Sequence, residues 1–184
     1  MSKNHFVLED QYEIIERCMR DDRLAQEKFY RHFYPSMFCL CKKFFQDDHA
    51  VLEAVNDGML KVFNRLKDYH PDKGALFNWV YTVVRNTALD KLKTSVKVPV
   101  AAVSEEEVEI PTGNILEDLE WRDVYHYLDL LPPATRAVFS LFYLEHFNIS
   151  AITKQLQIAP GTVKWQLSEG RRLLHPVLKK HFTI

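Results

Sequence analysis

The sequence predicts an all-α protein made of two small helical domains joined by an acidic linker. Three observations predict it. Apolar residues recur at three- and four-residue spacing nearly throughout, and no run alternates convincingly with period two. One stretch, Lys97 to Asn114 (KVPVAAVSEEEVEIPTGN), loses that periodicity and carries two prolines, a glycine and an acidic block. With 184 residues, 47% of them apolar, the chain has length and apolar content for two small cores. The expected division is residues 1–95, a linker over 96–115, and residues 116–184. A solvated charged loop explains the acidity of the middle equally well.

The elements follow in order. A first helix is expected from about Glu9 to Arg20, stopping near Asp21-Asp22. A second starts near Leu24 and runs through the Phe29, Tyr30 and Phe33 cluster, and Pro35 marks its join to a third, about Met37 to Phe45. A fourth covers about Ala50 to Asp68. The segment Tyr69 to Gly74 (YHPDKG) breaks the pattern, and a fifth helix runs from about Leu76 to Lys93. Beyond the linker, one helix runs from near Leu116 to Leu131, Pro132-Pro133 resets the chain, and another spans about Ala134 to Glu145. Asn148 is a plausible N-cap for a short helix, Ile149 to Leu156. After Gln157-Ile158-Ala159 comes a last helix from Pro160 to about Leu174. These two helices and their three-residue turn make a helix-turn-helix pattern, which many all-helical proteins also contain.

Composition removes several classes of function. Glycine occurs only 5 times, and neither G-x-G-x-x-G nor G-x-x-x-x-G-K-[ST] is present, which argues against a phosphate-cradling loop. The opening MSKNHFVLED has no apolar signal core, and the longest apolar run, Val138 to Leu144 with one serine inside, is too short to span a bilayer. A soluble, cytoplasmic protein without membrane insertion is expected. Cys18, Cys39 and Cys41 form no C-x-x-C and leave an odd count, which suits a reducing compartment. Phe38 and Leu40 around the C-L-C pair point to a buried helix rather than a metal site, and the 8 histidines are scattered. No catalytic residue, metal or cofactor is expected.

Net charge is −1, but it is unevenly spread. Residues 96–123 hold 2 Lys/Arg against 8 Asp/Glu, whereas residues 124–184 hold 7 against 3, so the C-terminal part is the basic one. Helical projection of the last helix gathers Val163, Leu167, Gly170 and Leu174 into a buried stripe. Lys164, Trp165, Ser168, Arg171 and Arg172 share the opposite arc, with Thr162 near its N-terminal end. Lys and Arg there could neutralise phosphates or bind guanine edges. Alternatively, Arg171 and Arg172 only complement the negative end of the helix dipole. Trp165 on the polar side favours a partner, since a large apolar surface is otherwise left exposed.

The fourth helix places Val51, Val55, Gly58, Met59, Val62 and Leu66 inward, and Glu53, Asn56, Asp57, Leu60 and Asn64 outward. An acidic and amide face with one exposed leucine suits a protein groove better than phosphate; a solvated face is the plainer reading. The fifth helix begins with Phe77, Trp79 and Tyr81 and ends with Arg85, Lys91 and Lys93, a combination able to stack on unpaired bases. Phe77, Val80, Val84 and Ala88 are expected to pack in any case.

The segments EAVNDGMLKVFNRLKDY, LFNWVYTVVRNTALDKLK, the acidic linker, LPPATRAVFSLFYLEHFNISAITKQLQI and APGTVKWQLSEGRRLL, in this order, resemble the small extracytoplasmic-function (ECF) sigma factors of bacterial RNA polymerase. The resemblance covers about residues 8 to 178. It implies a region 2 bundle in residues 1–95 and a region 4 helix-turn-helix in residues 116–184. Glu53, Asn56, Asp57 and Leu60 match the surface that docks on the β′ coiled coil, where the family has D-x-x-Q or D-x-x-N and this chain has Glu53 and Asn56. The fifth helix matches the part that melts and captures the minus-10 element, with Asn86 and Asp90 at motif positions. Arg85, Asn86, Lys91 and Lys93 are the choices for DNA contact, with Tyr69 and Lys73 as second choices.

The linker resembles a connector near the RNA path, where Glu105, Glu106 and Glu107 would repel or mimic the RNA backbone. The last helix matches the minus-35 reader, assigning the DNA contacts to Thr162, Lys164, Trp165, Ser168, Arg171 and Arg172; Trp165 could instead touch polymerase or the other domain. Partners implied are core polymerase through the β′ coiled coil and β flap, promoter DNA, and an anti-sigma factor. The expected function is promoter-specific transcription initiation without enzymatic activity. The alternative is a sigma-like decoy that binds an anti-sigma factor without promoter activity, against which the retained cations argue. Two departures are local: Ala159 stands for the usual Ser N-cap, losing about 0.5–2 kcal/mol, partly offset by Pro160. Gln157 stands for the usual turn glycine, so the turn is either strained or avoids positive φ.

Overall fold

The computed structural model describes residues 8–95 and 121–181, and among these the regular structure is entirely helical. The helices are α1 (Leu8–Met19), α2 (Arg23–Lys42), α3 (Asp48–Asn64), α4 (Leu76–Ser95), α5 (Trp121–Leu128), α6 (Pro133–Tyr143), α7 (Ile149–Leu156) and α8 (Pro160–His181). Contacts divide the chain into two compact units, Met1–Cys41 with Asp47–Ala88, and Lys42–Gln46 with Leu89–Ile184. The sequence-predicted linker, its three glutamates and Leu116 lie outside the described residues.

In the first unit, α1 buries Ile14, Ile15 and Cys18 and stops where the aspartates indicated. Asp21 takes positive φ (59°). Asp22 accepts from the backbone N–H groups of Leu24 (3.0 Å) and Ala25 (3.2 Å), capping α2. Arg17 donates to the same carboxylate at 2.8 Å, and this bond holds Asp22 below the usual carboxylate range. The expected break at Pro35 does not occur: α2 runs through it to Lys42. A proline removes one intrahelical donor, but Phe29, Phe33, Met37, Leu40 and Cys41 continue one buried stripe on both sides of it. Tertiary burial therefore outweighs the local break. The C-L-C pair is split accordingly, with Cys41 buried and Cys39 exposed. Burial pushes the Cys41 thiol up to about 12 and the Cys18 thiol up to about 11.

Asp47 caps α3 by accepting from the Ala50 N–H at 2.9 Å. The helix buries Val51, Ala54, Val55, Gly58, Met59 and Val62, and then gives way to single-turn helices at Leu66–Asp68 and Pro71–Lys73. A Cβ on Gly58 would lie 2.9 Å from a methyl of Val84 and 3.1 Å from its Cα, so glycine here sets how closely α3 and α4 approach. On α4, Val80, Val84 and Ala88 are buried as the periodicity indicates. Phe77 is not: it is 43% exposed, with its ring between those of Phe33 (6.2 Å) and Tyr81 (6.1 Å).

In the second unit, α6 and α8 pack closely. A Cβ on Gly170 would fall 2.6 Å from Cδ2 of the fully buried Phe139. Arg136, only 1% exposed, donates to the Asp129 carboxylate and to the carbonyls of Lys42 and Lys43. Ser140 donates to the Lys43 carbonyl at 2.8 Å, and Lys43 pairs with the buried Glu145 at 2.7 Å. Here the backbone carbonyls and carboxylates satisfy a buried cation that would otherwise be costly. Asn148 caps α7, accepting from the Ala151 N–H at 2.8 Å. α6 ends at Tyr143 rather than Glu145, and the chain turns through His146 at φ 55°. α8 continues beyond Leu174, through Pro176, to His181, with Leu178 buried at its far end.

Candidate polymerase and promoter interfaces

Three surfaces carry the residues singled out in the sequence. On α3, Glu53, Asn56, Asp57 and Leu60 are all exposed and fall within an arc of about 100°. Leu60 is 61% exposed, a high value for a leucine in mid-helix. Leu52, one turn before Asn56, is exposed as well, so the amide sits between two leucines on one strip. Tyr30 of α2 donates its hydroxyl to Asn56 Oδ1 at 2.8 Å. Neither Leu52 nor Tyr30 was singled out from the sequence. The available signal was the i, i+4, i+8 row Tyr30, Tyr34 and Phe38, whose rings follow one another at 5.6 and 5.8 Å.

On α4, Arg85, Asn86, Lys91 and Lys93 are each half-buried. They do not share one face. Asn86 and Lys93 lie about 20° apart around the helix, Arg85 stands about 80–100° from them, and Lys91 points to another side. Lys93 donates to Asp90 at 3.0 Å. In the preceding loop, Lys73 is exposed and the half-buried Tyr69 donates to the Gly74 carbonyl at 3.2 Å. The Tyr69 ring lies 5.7 Å from Trp79, and burial raises its phenol above the ordinary value.

On α8, Val163, Leu167, Gly170 and Leu174 are buried, as their stripe requires. Lys164, Trp165, Ser168, Arg171 and Arg172 share an arc of about 120°. Thr162 stands apart: it is buried, on the flank shared with Gln166, whose amide oxygen accepts from the Thr135 hydroxyl in the interior. Trp165 is 40% exposed. Arg171 is half-buried at the edge of the arc, donating from Nε to the Tyr143 hydroxyl at 2.6 Å with its guanidinium 5.6 Å from the ring centre. Burial raises the Tyr143 phenol, and the bond from Arg171 opposes that rise. Arg172 is exposed and grips Glu169 through two bonds of 2.7 Å, which hold the carboxyl below its ordinary value. Tyr143 and Glu169 were not anticipated; only the i, i+3 spacing of Glu169 and Arg172 announced a pair.

The turn before α8 resolves the question left by Gln157, which takes a left-handed conformation (φ 57°, ψ 42°). Among the described residues, no cluster of three or more His, Cys, Asp or Glu could hold a metal ion, and no helix is long and apolar enough to cross a membrane.

Two family models match the chain: Sigma-70 region 2 over residues 29–97, and Sigma-70, region 4 over residues 121–174. Among similar proteins, the ECF RNA polymerase sigma factor SigE of Mycolicibacterium smegmatis is 26% identical over 145 residues, 73% of this chain. The match spans about half, 54%, of that relative's length. The ECF RNA polymerase sigma factor SigM of Mycobacterium tuberculosis is 24% identical over 167 residues, covering 90% of this chain and 83% of SigM. A solved structure of the sigma factor RpoE in complex with the anti-sigma factor NepR from Bartonella quintana aligns with a TM-score of 0.48 at 20% identity, over 83% of this chain and 98% of that one.

Proposed function

Because the chain belongs to the ECF group of the sigma-70 family, we propose that it binds core RNA polymerase and directs initiation at promoters with particular minus-10 and minus-35 elements. In this reading residues 1–95 form the region 2 domain, 96–115 a linker and 116–184 the region 4 domain. The protein works in the cytoplasm as a non-enzymatic specificity subunit, and an anti-sigma factor controls it. The observation that carries the reading is the order of the two matched regions, joined to an exposed acidic and amide face on the first and a cationic arc on the second.

Each surface has a task that its chemistry fits. Glu53, Asn56, Asp57 and Leu60 offer acceptors, an amide and an apolar contact to the β′ coiled coil, while region 4 meets the β flap. Arg85, Asn86, Lys91 and Lys93, with Tyr69 and Lys73, serve the melted minus-10 strand: half-buried side chains on α4, with the Tyr69 and Trp79 rings side by side, suit splayed bases better than a groove-filling helix does. Their spread around α4 fits a strand that wraps the helix rather than one flat contact. Lys164, Trp165, Ser168, Arg171 and Arg172 serve the minus-35 duplex, with Arg171 oriented by Tyr143. Thr162, being buried, contributes through the packing of the helix start.

Reconstitution with core polymerase on a promoter library tests the reading. The expected result is initiation from a defined set of start sites, and Arg172→Ala is expected to weaken minus-35 use at constant core affinity. One observation gives the decoy reading a footing: Arg171 and Arg172 are both engaged by side chains of the protein itself. Intact folding and core binding without any specific start would select that reading.

A further inference from the structure

We propose that Tyr30 is a positioning residue for polymerase docking, holding the Asn56 amide with its N–H donors turned toward the partner. The inference rests on the reading of the α3 face as the docking surface. An amide on a helix surface ordinarily rotates among several orientations, and ordering it on binding costs affinity. Here the Tyr30 hydroxyl donates to Asn56 Oδ1 at 2.8 Å from a different helix, 26 residues away in sequence. Tyr30 is itself restrained, since its half-buried ring stacks on Tyr34 at 5.6 Å and 29°, and its sequence neighbour Phe29 is fully buried. With Oδ1 engaged, the amide meets a partner through Nδ2, and the group opposite is an acceptor, a carboxylate or a backbone carbonyl.

The surroundings make that orientation matter. Leu52 and Leu60, one turn to either side of Asn56, are 37% and 61% exposed. A partner covering both leucines removes water from the amide between them, and a polar group dehydrated in the wrong orientation loses far more than one left in solvent. Tyr30 thus converts a mobile amide into a fixed donor at the centre of an apolar strip.

The test is a titration of the full-length chain with core RNA polymerase, comparing wild type, Tyr30→Phe, Asn56→Ala and the double variant, with a thermal melt of each. Tyr30→Phe is expected to weaken core binding about three- to ten-fold with an unchanged melting temperature. Asn56→Ala is expected to weaken it at least as much, and the double variant no further than Asn56→Ala alone. Asn56→Asp, which replaces the donors by acceptors, is expected to be worse than Asn56→Ala. If Asn56→Ala weakens binding and Tyr30→Phe does not, the positioning role fails while the docking face stands. Additive losses overturn it too, since Tyr30 would then act by its own contact. No effect of any variant on core affinity overturns both the positioning role and the docking face.

Discussion

The faces of α3 and α8 were read from the same kind of helical projection, yet they differ in how their residues meet solvent. All four candidates on α3 are exposed, whereas on α8 only Trp165 and Arg172 are, with Thr162 buried and Lys164, Ser168 and Arg171 half-buried. Periodicity fixes where each Cβ points, because a turn of helix is a local property. It does not fix what a long side chain reaches. Arg171 finds Tyr143, 28 residues earlier, and Arg172 folds back on Glu169. The comparison separates a surface that is ready by exposure from one whose cations are already placed.

The largest expected effect concerns what lies beneath the α8 arc. α8 packs on α6, and Arg136 ties α6 to the Lys42 and Lys43 carbonyls from a fully buried position. Arg136→Ala takes the guanidinium from Asp129 and the Lys42 carbonyl, leaves the Lys43 carbonyl to Ser140 alone, and is expected to destabilise the protein by about 3–5 kcal/mol, read from chemical denaturation. A loss below about 1 kcal/mol would mean that water replaces the guanidinium, and that α8 rests on α6 without this anchor.

Next in size are the two glycines, one beneath each face. Gly58→Ala and Gly170→Ala each force a Cβ into contact distances below 3.0 Å, with Val84 and Phe139 respectively. Overpacking costs about 1–3 kcal/mol, offset by up to about 1 kcal/mol of helix propensity. Both melting temperatures are expected to fall. If only one falls, the face above the tolerant glycine rests on the looser packing, and the comparison between the units sharpens accordingly.

A smaller effect tests the cations directly. Glu169→Gln releases Arg172 and is expected to raise minus-35 duplex affinity several-fold and to steepen its salt dependence, whereas Arg172→Ala flattens it, the two variants differing by about 0.9 in slope, one phosphate contact. The sign with pH follows from the depressed Glu169 carboxyl: the pairing is complete above the ordinary carboxylate range and is lost as pH falls through the lowered value. Acidification therefore mimics Glu169→Gln. Equal salt slopes in wild type and both variants would show that Arg172 meets no phosphate.

Much of this was legible in the sequence, and the exceptions have a common cause. The buried stripes of α3 and α8, the Asn148 cap and the stop at Asp21-Asp22 are local features, and each appears where the residues placed it. The continuation of α2 through Pro35, the extension of α8 through Pro176, the exposure of Phe77 and the burial of Thr162 depend on neighbours distant in sequence. The same holds for the candidate site residues: the exposure of the α3 face was readable, whereas the Tyr30–Asn56 bond was not, because the row Tyr30, Tyr34 and Phe38 is periodic but a bond between helices is not.

The smallest expected effect lies in the turn between α7 and α8, where the sequence left two outcomes open. Gln157 adopts the left-handed conformation, a position that glycine occupies without the steric cost paid by a residue with a Cβ. Its N–H still closes the end of α7 on the Thr153 carbonyl, so the turn keeps its hydrogen bond and holds only the backbone strain. Gln157→Gly relieves that strain but gives the unfolded chain more freedom, and the two terms oppose each other. The net gain expected is about 0.5 kcal/mol, a rise of one to a few degrees in melting temperature at about this chain size. Because the turn sets the entry angle of α8, minus-35 affinity measured alongside separates two cases. Unchanged affinity with higher stability means the strain is incidental; reduced affinity means the left-handed glutamine restricts α8 to the orientation that meets the duplex.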